Sequence, residues 1–295
     1  MNILFITYPL SGIMIITLVF ALAIFLIRKY SLLWRFFFIG AIGFLISQIL
    51  HIPFNSLVLN PLIQDQIQPS LPEVLGLAVT ALLLGLSAGL FEEFTRYGLY
   101  RWWVKDARSW AKSVLLGTGW GGIEAILVAG IILATFFQMI ALRGVDLSSV
   151  VPAEQIELAQ QQMESYWSIP WHLSLLGFVE RAFAIPIQIS LSVLVLQAFT
   201  RGQSRWLWFA IGWHTLIDSA AVFVLTLWKD FAWIFYAVEV LAGIFAIIAL
   251  VIIFALKEPE PEPEPTLQLP PEPAETSSLD EMEPTLENLE DSRYN

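Results

Sequence analysis

Seven apolar runs, each long enough to cross a bilayer as a helix, constrain this chain more than anything else in it. They fall at 8–27, 34–50, 74–94, 113–142, 171–199, 206–227 and 231–256. A hydrocarbon core about 30 Å thick needs about 20 apolar residues in a helix. Backbone groups inside it must be hydrogen-bonded internally, which leaves helices or closed barrels. With runs of this length the expectation is an all-α polytopic membrane helical bundle of about seven transmembrane helices. Composition agrees, since 57% of residues are hydrophobic and mean hydropathy is +0.70, against roughly 45–50% apolar in soluble domains.

Charge divides the chain in two. Twelve of the 26 acids and one of the 15 Lys/Arg lie beyond residue 257, which leaves 14 of each in the apolar body. The overall net charge of -11 therefore belongs to the tail. That tail, 257–295, opens KEPEPEPEP and is Pro- and Glu-rich. It lacks the apolar residues to form a core and is expected to be disordered, a solvated segment or a docking site for a cytoplasmic partner. Basic residues sit at span ends and not in a patch, so no nucleic-acid surface is expected. With no cysteine, disulfides, thiolate metal sites and a cysteine nucleophile are excluded.

Arg28, Lys29, Arg35, the 96–112 group, Arg201, Arg205 and Lys257 fall on alternate connections, and only Arg143 and Lys229 on the others. The positive-inside rule then puts the N-terminus outside and the C-terminus in the cytoplasm of a plasma membrane. The first span has no basic leader before it and no small-residue cleavage site after it, so it reads as a retained anchor. Residues 51–71, with three prolines, read as a loop, and 152–167 as an external amphipathic helix. The chain thus parses into 1–72 (two spans and an external loop), a core of 73–256, and the tail.

Polar residues inside apolar spans are costly and mark function or internal pairing. Here they are Glu92, Glu93 and Arg96 in the third span, Glu124 in the fourth, Glu180 and Arg181 in the fifth, His214 and Asp218 in the sixth, and Glu239 in the seventh. At ~1.5 Å per residue, Glu93, Glu124, Glu180 and His214 all fall near the same depth, so one polar centre is expected. Plainer readings stand beside each candidate. Glu92 and Arg96, four apart, have the spacing of an intrahelical ion pair. Glu180 and Arg181, as neighbours, point roughly 100° apart and each needs a partner on another helix. Arg181 then takes a carboxylate such as Glu124, with Glu239 joining or balancing it. His214 and Asp218, also four apart, suit either a histidine with its orienting carboxylate or two ligands on one metal.

Four ordered blocks resemble the YhfC-type intramembrane metalloproteases, distant relatives of the CAAX prenyl-protease and bacteriocin-processing enzymes. They are EEFTR at 92–96, GTGWGGIEAIL at 117–127, ERAFAIPIQISLSVLVLQA at 180–198 and WHTLID at 213–218. The resemblance covers roughly 74–256. It implies a carboxylate–histidine metal site within the membrane. Glu92 or Glu93 would activate a water, Arg96 would order the acid pair, and His214 with Asp218 and Glu124 would bind the metal. In that family the glycine-rich block reads G-x-G-H-G-G, and a second histidine follows the ER pair. Here those positions hold Trp120 and Gln188, and only His214 keeps its imidazole. Indole is no metal ligand and an amide oxygen is a weak one for zinc. An oxygen-rich set suits zinc poorly and magnesium or manganese better.

Three functions are therefore weighed: a metallo-endopeptidase cutting a membrane-protein or peptide substrate, a catalytically inactive scaffold or binding protein of the same fold, and a transporter. No inverted repeat is visible, which counts against the last.

Overall fold

The computed structural model describes residues 2–257. Its elements are α1 (Leu4–Tyr30), α2 (Arg35–Phe54), a short turn α3 (Asn60–Leu62), α4 (Glu73–Gly98), α5 (Trp110–Ala141), α6 (Ile156–Ser168), α7 (Leu176–Thr200), α8 (Arg205–Leu227) and α9 (Ile234–Ala255). Among the described residues, seven helical segments are long and apolar enough to cross a membrane. There is no sheet among the described residues. The tail expectation falls at 258–295, outside the described residues.

Residues 51–71 correct the loop reading. Helix continues from α2 to Ser70 through π-helical turns at Asn55–Leu59 and Ile63–Ile67 on either side of α3, then a 3-10 turn at Gln68–Ser70. Pro53 lies inside α2 without ending it, and Pro61 and Pro69 fall in the first two positions of short new turns, where a missing amide hydrogen costs least. The helical segment thus extends over 36 residues, Arg35–Ser70. A short amphipathic helix does follow the fourth span, at α6. It is tied to α1 by the side chains of Asn2 and Tyr8, which donate to the Trp167 and Tyr166 carbonyls, and by Tyr8 stacking on Tyr166.

Two close crossings position the interior. At Gly119 on α5 any Cβ would run into the Phe37 carbonyl, so α2 and α5 touch backbone to backbone. At Gly85 on α4 a Cβ would sit 2.7 Å from the Thr215 carbonyl on α8. Small residues at such points let helices approach where lipid offers no hydrophobic drive. The α4–α8 crossing carries Glu93, two turns on, to His214.

α7 is the central helix. Ile185 and every residue from Ile187 to Ala198 are buried. It packs against α5 and α9 and also meets α1, α4 and α8. Pro186 lies within it without ending it. The other long helices bury one side, whereas α3 and α6 bury no residue, and the apolar core clusters around α7 and the adjoining faces of α1, α2, α5, α8 and α9.

Candidate functional site: a buried polar network

The last turns of α4 hold two acids and an arginine at the inner face of the bundle. Glu93 and Arg96 are fully buried and Glu92 is 6% exposed. Arg96 Nη1 donates to both carboxylate oxygens of Glu93, at 2.5 Å each. The ion pair is therefore Glu93–Arg96 at i, i+3, not the Glu92–Arg96 pair at i, i+4. Glu92 turns away toward α2 and α5, where its oxygens accept from Gln48 Nε2 and from the indole N–H of Trp120, each at 3.0 Å. Arg96 stacks on that same indole, its guanidinium carbon 4.2 Å from the ring centroid. Cation–π contact strengthens as both groups leave water.

From Arg96 the network runs in two directions. Toward α8, His214 Nδ1 lies 2.8 Å from Glu93 Oε1, with the imidazole N–H as donor. Its other nitrogen is 3.5 Å from Asp218 Oδ2, an ion-pair distance at i, i+4. Toward α7, Arg96 Nη2 donates to Gln188 Oε1 at 2.7 Å, and Gln188 Nε2 donates to Glu124 Oε2 at 3.0 Å. Arg181 Nη1 donates to the other Glu124 oxygen at 2.7 Å.

The same guanidinium closes onto Glu180 Oε1 at 2.5 Å. This overturns the expectation that Glu180 and Arg181 cannot pair. The two Cα–Cβ bonds diverge, but a long side chain ending in a planar fork swings back and bridges both acids. Glu239 does not balance Arg181 by a direct bond, and its Oε2 is buried with no partner. A cavity of about 150 Å³ opens beside this arm, lined by Glu124, Arg181, Gln188, His214 and Asp218 at its polar side and by Phe245 among the apolar residues.

The structure thus unites Glu92, Glu93, Arg96, Glu124, Glu180, Arg181, His214 and Asp218, and leaves Glu239 outside the bonded network. Gln48 also belongs to the network, and its sequence signal is Ser47-Gln48 interrupting a span that is apolar on both sides. Trp120 and Gln188, at the positions of the family's histidines, are donors that each join two helices.

As arranged, most of the acids that could hold a metal ion are already engaged by donors, while Asp218, which lines the cavity, lies 3.5 Å from His214. All six carboxylate oxygens of Glu92, Glu93 and Glu124 already accept from N–H groups of Gln48, Trp120, Arg96, Arg181, Gln188 or His214. The one imidazole lies between two carboxylates. Arg96, a fixed cation, stands where a second positive charge would be repelled. Among the described residues no group of three or more His, Cys, Asp and Glu could hold a metal ion.

An all-α bundle of seven apolar spans around a buried polar network defines a multi-pass membrane protein. A family profile described as "YhfC intramembrane metalloprotease" matches residues 13–242, and the chain belongs to that family. It is 31% identical over 225 residues to a protein named "Uncharacterized membrane protein YhfC" from Bacillus subtilis (strain 168), covering 72% of this chain and 82% of the relative. No solved structure matches. The bacterial family and the apolar spans agree on a plasma-membrane location.

Proposed function

We propose that this chain is a catalytically inactive YhfC-family protein, a membrane scaffold or binding protein that keeps the protease-like fold and uses its polar centre as internal glue. The observation that carries this reading is the bonding of Trp120 and Gln188. At the two positions where the family resemblance calls for imidazole, this chain has a donor to Glu92 and a two-way bridge between Arg96 and Glu124. Those bonds engage Glu92 and Glu124, two of the carboxylates that a metal site would draw on. Orientation follows the basic residues, with the N-terminus outside and the C-terminus in the cytoplasm.

The second reading is hydrolysis within the membrane by Glu92 or Glu93 with His214, Asp218 and Glu124. The family's description and the Glu93–His214 contact favour it. Zinc, magnesium or manganese would compete there with the present donors to Glu92, Glu93 and Glu124.

Elemental analysis of detergent-purified wild type, beside His214→Ala, separates the two. The expected result is a folded wild type without stoichiometric transition metal. One equivalent of metal, lost in the variant, would overturn the inactive reading.

A further inference from the structure

On the lipid-facing side of the α2–α4 junction, away from His214, lies a groove of about 720 Å³. Leu50 and Phe54 form one wall and Phe91 and Phe94 the other, with Trp102 and Trp103 at its end. Its lining is apolar almost throughout, and it runs along α4 from Ser87 to Trp103. Sixteen residues of helix cover about 24 Å, so the groove runs from the membrane interior to the end of the span. There the helix widens into a π turn at Leu99–Trp103, and the Trp102 ring folds back onto Gly98, where a Cβ would meet it at 3.0 Å. Arg101 and Lys105 stand exposed beside the two tryptophans. Neither has an ion-pair partner among the described residues, and the neighbouring acid, Asp106, is already held by Arg35.

We propose that this groove is a binding site for one anionic phospholipid, an acyl chain lying along α4 and the phosphate held by Arg101 and Lys105. Two observations select that occupant. The groove lies within the spans and is open to the side, so hydrocarbon reaches it without crossing protein. The tryptophan pair at its outer end adjoins in the chain the exposed Arg101 and Lys105, the pattern that holds anionic headgroups at an interface.

The test is native mass spectrometry of full-length protein taken from bilayers of equal parts phosphatidylcholine and phosphatidylglycerol and exchanged into detergent. Wild type is expected to retain one phosphatidylglycerol. The Arg101→Glu/Lys105→Glu double variant should lose the preference for it about tenfold, as removal of charged headgroup contacts predicts. Thr95→Trp, which fills the groove, should abolish retention of both lipids, and Val251→Trp on an exposed face of α9 should change nothing. If Thr95→Trp does not fold, Leu50→Trp on the opposite wall replaces it. Equal retention in every variant would reduce the site to ordinary surrounding lipid and overturn the proposal. So would retention without headgroup preference, or a co-purifying polypeptide that the groove-filling variant releases.

Discussion

Trp120 is the residue on which the interior turns. Its indole N–H satisfies one oxygen of Glu92 while its ring faces the Arg96 guanidinium. Trp120→Phe keeps most of the ring and removes the donor, leaving a buried carboxylate oxygen unpaired. The expected cost is about 1–3 kcal/mol, read as a lower melting temperature in detergent. A Glu92→Gln background should shrink that cost, because a neutral amide is cheaper to leave partly unpaired. Arg96→Met should be more severe, about 3–5 kcal/mol, since it strands the Glu93 charge in a dry interior. The Glu93→Gln/Arg96→Met double variant should recover a large part of that loss, and a double variant no better than the single would show that the pair is not coupled. At the same scale the ancestry of the centre can be probed directly. Trp120→His with Gln188→His replaces two internal donors by imidazoles flanking Glu92, Glu93 and His214. The combined variant is expected to gain zinc by elemental analysis, and a metal-free, folded double variant would show that the present backbone no longer presents a metal geometry.

At the scale of elements, contact between helices is set by glycines that the sequence spreads over several spans. Gly119→Ala should cost several kcal/mol, because its Cβ would collide with the Phe37 carbonyl and α2 would have to move. Gly130→Ala, on the same helix with nothing within 4 Å of the added carbon, should be neutral or stabilise by up to about 1 kcal/mol. Thermal melts of the two variants side by side test whether close approach, and not glycine content, explains the difference. Gly85→Val should weaken the centre without touching any of its polar residues, since it separates α4 from α8 and so Glu93 from His214. Two local features escape short-range sequence rules. Proline content marks 51–71 as a loop, yet Pro53 lies within a helix and Pro61 and Pro69 fall at the starts of short turns. Neighbouring positions set the Glu180 and Arg181 backbone directions apart, yet the charge of a long side chain is carried far enough to close the pair.

For the molecule as a whole, the arrangement of basic residues predicts orientation, and the absence of cysteine makes it simple to test. Single cysteines placed at Arg108 and Arg143 should react from opposite sides of the membrane with an impermeant maleimide. Arg143 is expected to label in intact cells and Arg108 only after the membrane is opened. The reverse pattern would invert the topology. The lipid site proposed along α4 lies on the Arg108 side in either case, so its occupancy does not depend on this outcome.

Sequence alone determined that the chain crosses a membrane as about seven helices, because span length and apolar content answer to the thickness of hydrocarbon and to nothing else in the fold. It also marked nearly every member of the polar centre, since a charge is conspicuous in an apolar run, and motif order pointed to the family. Which acid meets which base was decided only by the tertiary structure. Glu92 and Glu93 are adjacent, chemically identical, and four and three residues from the same arginine. Only the packing of α2, α5, α7 and α8 around α4 gives one of them the guanidinium and imidazole and the other the indole and Gln48. Hydrogen bonds are short and directional, so partner choice depends on ångström-scale helix placement, which helix rise and spacing do not carry.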